Sequence, residues 1–141
     1  MQLGLSLEGR AELERELLAL AEETRGATMS QAVRPAAELV LDAARALAPA
    51  RADQSLRNSL FAEENVAGPD GAEWIVGCAK AGGWYAPFVE FGTGPHEQHK
   101  GAYVHPGATP HPFLRPALEA NQAAVEDLIA EQLAALLEAH G

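Results

Sequence analysis

The chain opens with Leu3, Leu5 and Leu7 alternating with Gln2, Gly4 and Ser6, which predicts a short strand with one apolar face, ended by Gly9. From Arg10 to Arg25, Leu13, Leu17, Leu20 and Ala21 recur at helical spacing, and Gly26 follows in a C-capping position. Thr28 with Gln31 three residues on is a capping-box pattern. It introduces a second helix whose buried stripe is Val33, Ala37, Val40, Leu41, Ala44 and Leu47. Pro35 removes one hydrogen bond inside that helix and crowds the preceding turn, so the helix either kinks there, the favoured reading, or begins its regular part there, and Pro49 ends it.

Residues 50–58 are polar and irregular. Leu60, Ala62 and Val66 then read as a strand, and Gly68-Pro69-Asp70-Gly71 as a turn. Trp74, Val76 and Cys78 form the inward face of a returning strand, so this stretch is an expected antiparallel hairpin. After a flexible link at 79–83, the segment Trp84–Phe91 fits a strand or a short helix. The spacing of Tyr85 and Val89, with Gly92 placed to cap, favours the helix. Thr93–Pro112 shows no hydrophobic period and holds four Pro and four His, the signature of a long functional or disordered loop. The last element is a long helix over about 113–139 with Leu114, Leu118, Val125, Leu128, Ile129, Leu133, Leu136 and Leu137 as its stripe. Pro116 sits in its first turn, where no intrahelical N–H is lost.

These elements predict an α+β fold. Two N-terminal helices and a long C-terminal helix pack on one face of a small antiparallel sheet. A length of 141 residues fits one domain over 1–141, able to bury roughly two-thirds of its unfolded surface. No apolar stretch approaches the roughly 20 residues that span a bilayer, and the first residues lack the basic and apolar regions of a signal peptide. Cys78 is the single cysteine, which excludes an internal disulfide and fits folding in a cytoplasm. The formal charge of −10 argues against direct nucleic-acid binding. From Ala117 onward there are Glu119, Glu126, Asp127, Glu131 and Glu138 and no Lys or Arg. That is a solvated helix face, or a surface that repels DNA or meets a basic partner.

The histidines look most like a site. His96, His99, His105 and His111 all fall in the loop with Glu97 among them, and His and Glu ligate zinc. A Gly/Pro-rich loop without Cys lacks the rigid support such sites use, so polar loop histidines are the expectation and no metal or other cofactor is assigned. Ser55, Ser59 and Cys78 lack a nucleophile-elbow sequence, and Cys78 reads as a core thiol. Gly82-Gly83 and Gly92-Thr93-Gly94 match neither a P-loop nor a dinucleotide fingerprint. Glu90, between Val89 and Phe91, is the one carboxylate expected to be partly buried, with Arg115 as its candidate partner in an architectural pair. Phe88, Phe91 and Phe113 are expected in the core.

Two blocks carry most of the specific signal. The first is Tyr85-Ala86 with Val89-Glu90-Phe91-Gly92-Thr93, and the second is Pro112-Phe113-Leu114-Arg115-Pro116-Ala117-Leu118. Together with Ala48-Pro49 and Leu56-Arg57-Asn58-Ser59, their order resembles the gene-product-ten-like tail component, or neck protein, family of long-tailed (siphovirus-type) DNA phages and prophages. The similarity covers nearly the whole chain and is specific in its second half. One departure is that Ala50-Arg51-Ala52-Asp53-Gln54-Ser55 lacks the family's usual threonine-glycine after Pro49.

The resemblance implies a structural, non-enzymatic virion protein of the head–tail junction, assembled in the bacterial cytoplasm. It implies a homo-oligomeric ring, a hexamer, between the portal-side connector or adaptor and the tail tube, through which DNA passes without specific binding. A tail-terminator ring capping the tube is the nearest alternative. A gene transfer agent would use the same part. Tyr85, Glu90, Phe91, Gly92, Thr93, Phe113, Arg115 and Pro116 would then mark the fold. The loop with His96, His99, Tyr103 and His105 would be the contact between subunits or rings, and carboxylates of the final helix would face the channel. Readings from other classes are a small metal-dependent enzyme using the loop histidines and a regulatory module whose helices bind a partner protein.

Overall fold

The computed structural model describes residues 10–50, 54–98, 101 and 103–140. The expected strand at Leu3–Leu7 and the residues Arg51–Asp53 and His99 lie outside that description. Two helices, α1 (Arg10–Leu18) and α2 (Glu22–Leu47), lead into a single turn, α3 (Ser55–Ser59). A hairpin follows, β1 (Leu60–Gly68) and β2 (Gly71–Cys78), antiparallel from Leu60↔Cys78 to Gly68↔Gly71 with an irregularity between Glu64 and Val66. Next come α4 (Lys80–Gly83), α5 (Ala86–Phe91), a ribbon of β3 (His96–Gln98) and β4 (Tyr103–His105), then α6 (Leu114–Glu119) and α7 (Gln122–His140). The fold is α+β, with helices on one face of the β1–β2 hairpin.

Helix α2 is the centre of the packing and touches β1, β2, α6 and α7. Its buried positions are mostly small: Ala32, Ala36, Ala37 and Ala44 beside Val40 and Leu41. Alanine lets a neighbouring backbone approach closely at the lowest helix-propensity cost. The main core joins Val40, Leu41 and Ala44 to Leu56, Leu60, Tyr85, Phe113, Ala117, Val125 and Ile129. A second cluster joins Ala32 to Leu133 and Leu137, and Leu13 and Leu17 of α1 pack on it with Leu20 of the following turn.

The hairpin's inner face is set by the alternation seen in the sequence. Ala62, Val76 and Cys78 pack on the core. Trp74 donates its indole N–H to Ser30 Oγ at 2.9 Å, and that hydroxyl bonds onward to Glu64. A buried serine on α2 thereby finds partners for its polar group, which would otherwise be costly to bury.

Several expectations change. The first helix ends at Leu18, so Gly26 is not its cap, and Thr28 and Gln31 lie inside α2 rather than forming a capping box. The turn at 19–21 is tied by the Arg25 guanidinium, which donates to the carbonyls of Leu18 and Leu20, both at 3.2 Å. Gly26 serves packing instead: a Cβ there would sit 3.2 Å from the backbone of Gly68 at the hairpin turn. α2 runs through Pro35 as one helical element, so the regular helix does not start there.

The polar stretch 50–58 contains a helical turn in α3. The C-terminal helix is two pieces, because Asn121 turns its side chain back onto the Ala117 carbonyl at 2.8 Å. Asparagine competes in this way with helix continuation. The span 93–112, read as a loop, folds on itself as the β3–β4 ribbon.

Candidate interaction surface

The two motif blocks meet through Glu90. Its helix α5 is short and starts after Tyr85, with proline in the first positions, where a missing N–H costs nothing. Glu90 is buried at 8% exposure. One carboxylate oxygen accepts the backbone N–H of Phe113 at 2.8 Å and of Leu114 at 3.0 Å, and the other accepts that of Arg115 at 3.0 Å. These are the donors at the start of α6 that have no partner within the helix. Glu90 therefore meets Arg115 through the backbone N–H of Arg115 rather than as the expected side-chain ion pair, and the Arg115 side chain is exposed.

Burial alone raises the Glu90 pKa. The three N–H donors, aided by the nearby Arg115 charge, outweigh burial and hold it below the ordinary glutamate value. A further bond, His111 N–H to the Val89 carbonyl at 2.7 Å, fastens the same seam.

Phe113 is fully buried. Phe88 and Phe91, expected beside it in the core, are not: they are 50% and 69% exposed, and Trp84 is 68% exposed. The reason is geometric. Trp84, Phe88 and Phe91 fall at i, i+4 and i+7, one stripe of the segment, whereas Tyr85, Ala86, Val89 and Glu90 occupy the stripe facing the core. That second stripe was visible in the spacing. Trp84 meets Phe88 edge-on at 6.4 Å between ring centroids and Tyr85 at 5.5 Å. The Tyr85 hydroxyl is 2.9 Å from Ser55 Oγ.

Gly92 ends α5 with φ of +72°, a conformation that favours glycine. Thr93 and Ala108 then exchange both backbone bonds at 3.0 Å, and Thr93 Oγ1 accepts from Ala108 N–H as well. Beyond this bridge His96 pairs with His105 across the ribbon, their rings stacked at 4.9 Å. His96 Nδ1 lies 3.0 Å from the Gly94 carbonyl and so donates, while His105 Nδ1 accepts the Gly107 N–H at 3.0 Å. Tyr103 and Val104 are exposed on β4. His96, His105 and His111 line one cleft of about 730 Å³ with Tyr85, Phe88 and Val89. Among the described residues no group of three His, Cys, Asp or Glu is placed to hold a metal ion.

A second cleft, of about 530 Å³, opens beside the aromatic stripe. Trp84, Phe91 and Leu114 give it apolar walls, the exposed Lys80 and Arg115 lie along it, and Cys78 and Glu90 reach its lining. Burial raises the Cys78 thiol pKa, a hydrogen bond with Ser59 opposes the rise, and the Glu90 charge adds to it. Pro116 lies in the first turn of α6. No helix among the described residues is long and apolar enough to cross a membrane. No protein-family model matches this chain, and no curated protein or solved structure does either.

Proposed function

We propose that this protein is a structural subunit of the head–tail junction of a long-tailed DNA phage or a related particle, part of a homo-oligomeric ring between connector and tail tube. The observation that carries this reading is the two-sided motif helix: one side of α5 is locked into the core by Glu90, and the other presents Trp84, Phe88 and Phe91 to the surroundings. Contiguous exposed aromatics of this kind mark protein–protein contact surfaces. The polar groups of the motif are used internally, Glu90 on three backbone amides and Thr93 on Ala108. That supports an architectural role over a catalytic one. The net charge of −10 fits a ring through which DNA slides without being held.

Electron microscopy of particles produced without this protein tests the reading. Filled heads accumulating apart from finished tails are expected; normal joined, infectious particles would overturn it.

A further inference from the structure

The aromatic cleft needs an occupant, and its chemistry narrows the choice. Trp84, Phe88 and Phe91 are each at least half exposed, and the cleft beside them carries two exposed cations, Lys80 and Arg115. The one carboxylate in its lining, Glu90, already has both oxygens committed to backbone amides. The complement is a surface with small apolar side chains, which let aromatic rings approach, and carboxylates spaced to meet two cations. The outer stripe of α7 has that composition. Ala124, Asp127, Glu131, Ala134 and Glu138 are all exposed and recur at helical spacing, and no Lys or Arg lies between Ala117 and the C-terminus to compete for the acids. Asp127 and Glu131 are one turn apart, about 5–6 Å between their Cβ atoms, so both acids can face one cleft.

From this complementarity we infer that the cleft between Trp84, Phe91, Lys80 and Arg115 receives the acidic outer face of α7 from a second copy of this chain. The contact joins two different surfaces, so each subunit keeps one of each free for the next, and repetition closes a ring or extends a filament. Burying the aromatics supplies the affinity, and the acid–base pairs fix the register and reject copies approaching in other orientations. The inference rests on the ring reading above and deepens it. It assigns Asp127 and Glu131 to the joint between copies instead of the channel wall expected from the sequence.

Sedimentation velocity over a concentration series of the purified full chain tests it, with Trp84→Ser, Lys80→Glu, Glu131→Lys and the Lys80→Glu/Glu131→Lys double variant compared. All three positions are exposed, so unchanged thermal melting serves as the folding control. The wild type is expected to self-associate more weakly as salt is raised. Each single variant should lose at least about tenfold in association, and the double variant should recover most of it, since its charges are exchanged across the contact. Association should also shield Cys78, in the cleft lining, from alkylation by a maleimide. A wild type that stays monomeric to millimolar concentration, single variants that associate normally, or a double variant no better than the singles would each overturn the contact. Particle assembly is scored separately, so a failed contact leaves the junction reading standing, and normal particles made without the protein remove that reading whatever the purified chain does.

Discussion

Glu90 accepts the backbone N–H of Phe113 at 2.8 Å across 23 residues of sequence. This single relationship joins two short blocks that lie far apart in the sequence. The carboxylate closes the start of α6, Phe113 fills the core beneath it, and the intervening ribbon is tied at its base by Thr93 and Ala108.

Replacing Glu90 with Gln should destabilise the fold by about 1–3 kcal/mol, because the amide has one acceptor oxygen where three donors converge, and its NH2 faces N–H groups. The pH dependence has a definite sign. The folded pKa lies below the ordinary value of 4.5, so the stabilisation is complete above that value and is lost as pH falls through the folded pKa. Thermal melting of both proteins from neutral pH downward should show the gap between them closing in acid. A gap independent of pH would mean that the charge on Glu90 is not what holds the joint.

Two phenylalanines of the motif, Phe113 and Phe91, should separate cleanly. Phe113→Ala removes a fully buried ring and should cost about 3–5 kcal/mol. Phe91→Ser, on a ring 69% exposed, should change stability by no more than about 0.5 kcal/mol. Urea unfolding of the two variants makes the comparison. Similar losses would place Phe91 in the core after all.

Much of the architecture could be read from spacing. The hairpin, its Gly68–Gly71 turn and the inward face of Trp74, Val76 and Cys78 follow from period-two alternation beside a strong turn signal. Helix boundaries were less legible, because Gly26 and Asn121 each have two physical uses. Glycine ends helices but also permits close packing, and here the approach of Gly68 decided the outcome. Asparagine is tolerated in a helix until its side chain captures a carbonyl, as it does at Ala117.

Phe88 and Phe91 lie outside the expected core for a different reason. A short segment with six apolar residues among eight, Pro87 aside, has more apolar positions than one buried face can hold, and composition alone does not say which stripe turns inward. Glu90 was the available signal, because the one carboxylate expected to be partly buried marks the stripe that turns inward. The partnership with the 113–115 backbone could not be seen, since backbone donors leave no trace in residue identity.

Gly107→Ala should open the ribbon. Gly107 has φ of +89°, and a Cβ there would lie 2.2 Å from the Thr93 carbonyl oxygen. Amide hydrogen exchange should rise sharply at Thr93 and Ala108, which exchange hydrogen bonds in the bridge, while amides of α2 and α7 stay protected. Unchanged protection at the bridge would contradict the close packing described.

Arg25→Met keeps the aliphatic stem and removes the donors that hold the Leu18 and Leu20 carbonyls. The expected result is a loss of about 1–3 kcal/mol with exchange rising mainly in α1. Loss of protection spread evenly over the molecule would show that the 19–21 turn is not a local clasp.

The most direct test of the junction role is reconstitution. Filled heads and finished tails are isolated from particles made without this protein and mixed with the purified chain, and joined, infectious particles are counted. The account predicts joining by the wild type and by the ribbon variant Gly107→Ala at reduced efficiency, and none by a folded Trp84→Ser/Phe91→Ser variant. Joining without the protein, or no joining with the wild type, would contradict it.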